Sequence, residues 1–183
     1  MTAFAADRIE LRKFTQEHLN STEYFSWLCD LDNIIPIYRT EYLLNISRDD
    51  VTVYVNNLWK SGTDCFFAIH ERKTGRFIGT QRIGHIDWRS GVADIGVMIG
   101  EKASWGKGYG TEAVALACRY AFGPLSLRRL TGGTAGSNIG MIRCFIKNNF
   151  QEEGRRSEHL LINGKYEDHI LFGLFKSDIS EIK

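Results

Sequence analysis

The sequence predicts a mixed α/β domain of the α+β kind, and three observations carry that expectation. The hydrophobic period is helical in the stretch that ends at Gly62, extended from residue 64 to residue 99, and helical again from the glycine-rich loop to Phe122. Two turn signals, Lys73-Thr74-Gly75 and Arg89-Ser90-Gly91, divide the extended stretch into three strands, an antiparallel meander. Asn163-Gly164 is the strongest hairpin signal in the chain and joins Glu158–Ile162 to Lys165–Phe175.

Taken in order, a first strand is expected at Arg8–Phe14 from its alternation. Thr15 is a helix cap, and Leu19, Tyr24, Trp27 and Leu28 predict a helix reaching Leu28. Asp30–Asn45 reads as irregular and holds Pro36, one of two prolines. Ser47 caps a second helix, Asp50 stands at the capping-box position, and Val51, Tyr54, Val55, Leu58 and Trp59 form its apolar stripe. Gly62 ends it. The meander follows as Asp64–His70, Arg76–Trp88 and Val92–Ile99. A glycine-rich loop, Trp105–Gly110, opens a helix that Gly123-Pro124 stops. Arg128–Thr134 reads as a strand and Asn138–Asn148 as a helix before the closing hairpin.

Length and charge exclude several function classes. The 183 residues fit one domain, 1–183, at about 100–200 residues per domain. With 23 basic and 22 acidic side chains the net charge is +1, unlike a histone-like nucleic-acid binder, so no nucleic-acid partner is expected. No apolar run approaches the ~20 residues of a membrane span, and Met1–Glu10 lacks the pattern of a signal peptide. Cys29, Cys65, Cys118 and Cys144 have neither metal-ligand nor redox spacing. They read as small buried hydrophobes in a reducing compartment, which predicts a cytoplasmic protein with no metal.

The informative stretch is Trp105-Gly106-Lys107-Gly108-Tyr109-Gly110-Thr111, which follows a strand and opens a helix. Glycines let backbone N–H groups approach an anion, and the helix N-terminus adds about half a positive charge. Together they predict a diphosphate site. The spacing differs from a P-loop, which needs four residues between its first glycine and a Gly-Lys pair. It also differs from a dinucleotide GxGxxG, and Ser126–Thr131 offers no acid for a ribose. The pyrophosphate of coenzyme A and a plain helix-packing turn are the other readings.

At these residues the chain resembles the GNAT N-acetyltransferases, whose phosphate loop reads Arg/Gln-x-x-Gly-x-Gly/Ala. Trp105 departs from the basic or amide residue usual at the first position. Ala93–Gly100 is similar to the family's fourth strand, and Asn138 to Phe150 to its "Asn…Lys-x-Gly-Phe" segment, with Asn149 for the glycine. Asn163–Asp168 resembles the closing hairpin of the RimJ/RimL-like branch. The resemblance spans Ile9–Phe175 and implies the GNAT fold: a mostly antiparallel central sheet with splayed strands four and five and helices on both faces.

The resemblance also implies the chemistry, direct attack of an amine on the thioester of acetyl-CoA in a ternary complex. It places the pantetheine arm along Val97, Met98 and Ile99, with a backbone N–H near Met98 or Ile99 on the oxyanion. The diphosphate falls to Trp105, Gly106, Lys107, Gly108, Tyr109, Gly110 and Thr111. Asn138 would bond the pantetheine and Lys147 would face the nucleotide end. Three residues compete as general base: Asp94, at a position matching a strand-four glutamate, His85 on the preceding strand, and Glu101 just past the strand. Phe145 stands where many family members carry a tyrosine acid, so that role is missing or moved. The segment between the first two helices, with Trp27, Asp30, Asp32, Tyr38, Arg39, Glu41 and Tyr42, is expected to shape the acceptor pocket, and Arg39, Arg82 or Arg89 to hold any phosphate. The expected acceptor is a small-molecule amine such as an amino sugar, polyamine or antibiotic. The alternatives are a protein N-terminus, as in ribosomal-protein acetyltransferases, or a catalytically silent CoA-binding module. The working form is a monomer or homodimer.

Overall fold

The structure is a computed structural model that describes residues 4–36 and 46–179. Its elements run β1 (Phe4–Ala5), β2 (Ile9–Lys13), α1 (Gln16–Asn20), α2 (Thr22–Leu28), α3 (Leu31–Ile34), α4 (Arg48–Lys60), β3 (Cys65–Glu71), β4 (Phe77–Asp87) and β5 (Val92–Ile99). After these come α5 (Tyr109–Phe122), β6 (Arg129–Ala135), α6 (Ile139–Lys147), β7 (Gln151–Ile162) and β8 (Lys165–Phe175), with short 3-10 turns at Lys102–Ser104 and Lys176–Asp178. All eight strands form one sheet in the order β1-β2-β3-β4-β5-β6-β8-β7. Every pairing is antiparallel except β5 with β6.

Alternation along the strands gives the sheet two apolar faces. On one, Ala113, Val114, Leu116, Ala117 and Ala121 of α5 bury against Ile83, Ile95, Ile69 and Ile78, and Phe145 of α6 extends that core. On the other, α1, α2 and α4 bury Leu19, Tyr24, Trp27, Leu28, Val51 and Val55 against Phe14, Ala68 and Met98. Trp27 lies on Gly100, where a Cβ would meet the indole at 2.1 Å, so this glycine permits the helix to close on the end of β5.

The parallel pair decides where a ligand fits. β5 and β6 are in register only at Val92–Arg129, Ala93–Leu130 and Asp94–Thr131. Beyond Asp94 they diverge, leaving Ile95–Ile99 with β4 alone and Gly132–Ala135 with β8 alone. The N–H of Gly100 bonds the carbonyl of Ile78 at 3.0 Å, which sets the phase of the β4–β5 ladder. In that phase Met98 turns its backbone groups to β4, while Val97 and Ile99 turn theirs into the gap.

The structure adds a short strand, β1, and a one-turn helix, α3, within the stretch expected to be irregular, where Asp30 caps it by accepting from the N–H of Asp32 at 3.0 Å. Other features differ too. The helix expected across Thr15–Leu28 is two, because Ser21 is extended (ψ 144°) and its hydroxyl caps α2 by accepting from the N–H of Tyr24 at 3.1 Å. β7 begins at Gln151, seven residues before the expected start at Glu158. Those residues are mostly exposed, so no alternation marks them, and pairing to β8 with the ion pairs Arg155–Glu152 and Arg129–Glu153 orders them instead. Among the cysteines only Cys118 is buried; Cys29 is exposed, and Cys65 and Cys144 are half-buried, which corrects their reading as buried hydrophobes.

Candidate active site

Gly106 and Gly108 both lie in the left-handed region, at φ +72° and +83°. A Cβ on Gly106 would meet nothing within 4 Å, and one on Gly108 only the end of Arg8. The first internal bond of this turn is from Glu112 N–H to the Gly108 carbonyl, at 3.1 Å. The N–H of Lys107 closes the turn over Trp105 and Gly106. The N–H groups of Gly106, Gly108, Tyr109, Gly110 and Thr111 have no acceptor among the described residues, and they lie at the N-terminus of the 14-residue α5.

The loop is held from behind. Arg8 forms an ion pair with Glu112, donates to the Lys107 carbonyl at 2.7 Å, and lies over the Tyr109 ring. Tyr109 points away from the loop's open side and donates to Glu71 at 2.6 Å. The Thr74 and Tyr109 hydroxyls hold the Glu71 carboxyl down at about 2. Trp105, the departure from the family pattern, ties the loop to the strand: its indole N–H donates to the Ile99 carbonyl at 2.6 Å.

A groove of about 450 Å³ leads from this loop along β5. Val97, Met98, Ile99, Trp105, Gly106, Gly108, Tyr109, Gly110, Thr111, Asn138 and Lys147 line it, as expected candidates. The side chain of Lys107 is exposed and is not part of this wall. Asn138 caps α6 by accepting from the N–H of Met141 at 3.0 Å and donates to the Pro36 carbonyl at 3.1 Å, which ties α6 to the segment after α3. Sequence reasoning missed Arg143, Asn33 and Ser104 on the same wall. Arg143 had a legible signal, since it stands one turn before Lys147 on α6. Asn33 and Ser104 had none; Asn33 Oδ1 and Ser104 Oγ are buried without a hydrogen-bond partner among the described residues.

A second cleft, about 230 Å³, opens on the other face of β5 and meets the groove at Val97 and Met98. Tyr24, Leu28, Tyr54 and Phe66 form its apolar side, and Arg82, His85 and Asp94 its polar side. His85 sits at the irregularity between Gly84 and Asp87 with φ +50°, and this bulge aims it into the cleft beside Asp94. Asp94 keeps solvent access through the mouth, but burial among its neighbours raises its carboxyl above the ordinary value, against the Thr131 hydroxyl and the charges of His85 and Arg82. Thr131 Oγ1 donates to Asp94 Oδ1 at 3.1 Å. Arg82 is paired with Asp64, donating from Nε at 2.7 Å, and its Nη2 lies 3.3 Å from His85 Nε2. Because a guanidinium only donates, this contact is a hydrogen bond only when His85 Nε2 carries no proton.

Glu101, the third candidate base, is not brought to this cleft: its carboxylate caps the 3-10 turn by accepting from the Ala103 N–H at 3.1 Å. Of the segment expected to shape the acceptor pocket, the first residues lie elsewhere. Trp27 is core against Gly100 and Phe77. Asp30 and Asp32 bind Lys102 at 2.8 and 2.6 Å beside the groove. Tyr38, Arg39, Glu41 and Tyr42 lie outside the described residues. Phe145 is fully buried, packs on Phe150 and Phe172, and presses on Gly132, where a Cβ would meet its Cζ at 2.5 Å.

Comparison with known proteins gives this geometry a family. Residues 8–151 match the family model of the acetyltransferase (GNAT) domain. The chain is 34% identical over 138 residues to the probable N-acetyltransferase YjcK of Bacillus subtilis, across 75% of each protein. It is 28% identical over 126 residues to the ribosomal protein uS5-alanine N-acetyltransferase of Escherichia coli, across 68% of this chain and 64% of that one. The fold is shared with spermidine N-acetyltransferase from Vibrio cholerae, solved with CoA and spermine, at a TM-score of 0.83 and 20% identity over 93% of this chain and 97% of that one. It is shared also with ribosomal-protein-S5-alanine acetyltransferase from Vibrio fischeri, at 0.78 and 19% over 99% and 100%. The free amides, the splayed strands and the family match together place the chain in the GNAT family of N-acetyltransferases.

Proposed function

We propose that the chain, as one domain over residues 1–183, transfers acetyl from acetyl-CoA to the primary amine of a small molecule in the cytoplasm. The observation that carries this reading is the set of N–H groups between Gly106 and Thr111 without acceptors among the described residues, at the end of a groove that meets a second cleft at Val97 and Met98. The diphosphate of the co-substrate takes those N–H groups, with Arg143 and Lys147 supplying positive charge nearby. Asn33 and Ser104 offer unmet hydrogen-bonding capacity to the pantetheine amides. Trp105, in place of the usual basic or amide residue, fixes the loop through its indole N–H instead of contacting phosphate with a charge.

The acetyl group then lies where groove and cleft meet. The backbone N–H of Val97, turned into the gap, stabilises the oxyanion as the amine adds to the thioester carbonyl, worth about 10²–10³ in rate. Met98, expected to share that role, has its N–H directed to β4. Asp94 is the general base, directly or through a water. Its raised carboxyl pKa is better matched to proton removal near neutrality, and His85 Nε2 is already turned to the Arg82 guanidinium, 3.3 Å away. A cleft of about 230 Å³ with three aromatic walls and one carboxylate suits the end of a slender amine.

The test is incubation of the protein and acetyl-CoA with a panel of polyamines, amino sugars, aminoglycosides and ribosomal-protein N-terminal peptides, read by mass spectrometry for products one acetyl group heavier. Acetylation confined to small amines is expected. Acetylation of peptides alone overturns the acceptor class, and CoA binding without any product supports a silent module.

A further inference from the structure

A further pocket of about 190 Å³, partly open, lies at the gap between β5 and β6, and its lining is unusual for an apolar site. Most of it is aliphatic or aromatic, with Ile95, Val97, Met141, Phe145 and Leu160. Two polar atoms break that pattern: Thr134 Oγ1 and His169 Nδ1 are both buried with no hydrogen-bond partner among the described residues. The two project from opposite faces of the sheet, since Thr134 stands opposite Ile170 and His169 opposite Ala135. Buried polar atoms are nearly always satisfied, so the unmet His169 nitrogen on the face of Gly133 marks a place where something polar binds.

His169 occupies the more telling position. It stands on β8 opposite Ala135, and its ring tip reaches diagonally over Gly133. A Cβ on Gly133 would lie 2.2 Å from Nε2, so the imidazole occupies the space that a side chain at 133 would need. Gly133 borders both this cavity and the acceptor cleft, and Val97 borders these two and the co-substrate groove as well. His169 is therefore beside the one point where amine and thioester meet.

Its charge state follows from its surroundings. Burial, then Arg156 directly across the ladder and His159 stacked at 5.9 Å, hold the imidazole below its ordinary pKa, so the ring is neutral near pH 7. Arg156 and His159 come from β7; the cavity residues from β5, β6 and α6 carry no charge. A buried N–H without an acceptor is rarer than a bare lone pair without a donor. The tautomer that leaves no buried N–H unmet has Nδ1 bare and the proton on Nε2, at the tip over Gly133.

We infer that His169 presents its Nε2–H to the sulfur of the acetyl thioester and stabilises the thiolate as the carbon–sulfur bond breaks, an inference that rests on reading the splay as the thioester site. The nitrogen–carbon bond forms, the carbon–sulfur bond breaks, and the electron pair goes to sulfur. The two protons lost between ammonium and amide leave through Asp94 to water, and the thiolate takes its proton from water after release. No side-chain acid is needed, which accounts for how a phenylalanine can stand at 145.

Bound CoA tests this directly. The pH at which its thiol ionises is read from thiolate ultraviolet absorbance, with desulfo-CoA as the blank. The bound thiol is expected to ionise about tenfold more readily than free CoA, the effect of one hydrogen bond to a charged group. His169→Leu should abolish that shift and lower kcat about tenfold or more with little change in KM for acetyl-CoA. His169→Gln, which keeps an N–H donor, should restore much of both. Gly133→Ala, which displaces the ring tip, should behave like His169→Leu if the leucine variant does not fold. A bound thiol that ionises no more readily than free CoA in the wild-type protein overturns the inference, as does an identical shift in a folded His169→Leu variant. Failure of the wild-type protein to bind CoA would instead overturn the reading of the groove.

Discussion

Gly108, at φ +83°, is the residue on which the loop turns into α5. A β-branched side chain there is strained by about 1–3 kcal/mol, and its Cβ meets the end of Arg8, which holds the loop from behind, so the loop must shift. Gly108→Val should therefore remove CoA binding in calorimetry while the far-ultraviolet circular dichroism stays native. Unchanged affinity would mean that the loop does not carry the phosphates. At Asp94 the expected effect is on turnover: Asp94→Asn should lower kcat about 10²–10⁴-fold, with KM for acetyl-CoA unchanged. Because burial raises this carboxyl, wild-type activity should fall on acidification at a pH above the ordinary carboxylate value, and the variant's pH–rate profile should lose that limb. The loop glycines and Asp94 were legible in the sequence because each is a local requirement, a backbone conformation or a charge beside a strand. His169 and Asn33 were not, since their neighbours come from strands and loops distant in sequence. Asn149 lies between these cases. It takes φ +64° at the end of α6, a conformation asparagine tolerates better than most residues, so the family's glycine is dispensable there.

The elements were legible in proportion to how one-sided their burial is. β5 was read to the residue because Ala93 and Ile95 alternate with exposed Asp94 and Gly96. The first half of β7 was invisible because both its faces are wet. The cap of α6 ties element to site. Asn138 serves the Met141 N–H and the Pro36 carbonyl together, so it is a structural bond whatever it does for pantetheine. Asn138→Ala should cost about 1 kcal/mol in a urea titration, whereas Asn138→Asp, which keeps the capping oxygen, should retain most of that stability. Equal loss in both variants would show that the link to Pro36 is the dominant contribution.

Across the whole molecule, two histidines join the helices over the acceptor cleft to the meander. His18 Nδ1 accepts from the Thr15 N–H at 3.1 Å, and its Nε2 lies 2.9 Å from His70 Nε2. His70 Nδ1 donates to the Gly75 carbonyl at 2.9 Å. The chain of bonds is complete only when both rings are neutral, because a second proton on either would meet a donor. Burial and His70 hold His18 down at about 4, against 6.5 for a free histidine, with Glu17 and Arg12 acting in opposite senses. The unfolded chain thus binds more protons between these values, so this stabilisation is complete above pH 6.5 and is lost as the pH falls towards 4. The urea midpoint should drop between pH 7 and pH 5, and His18→Leu should flatten that slope. An unaltered slope in the variant would place the acid sensitivity elsewhere.

The account as a whole depends on main-chain amides receiving the co-substrate's phosphates, and amide-resolved nuclear magnetic resonance reads those amides one by one. Titration of the isotope-labelled protein with CoA should move the N–H signals of Gly106 to Thr111 most, with Val97 and Ile99 following. Saturable binding that leaves the signals of Gly106 to Thr111 in place and shifts others would contradict it.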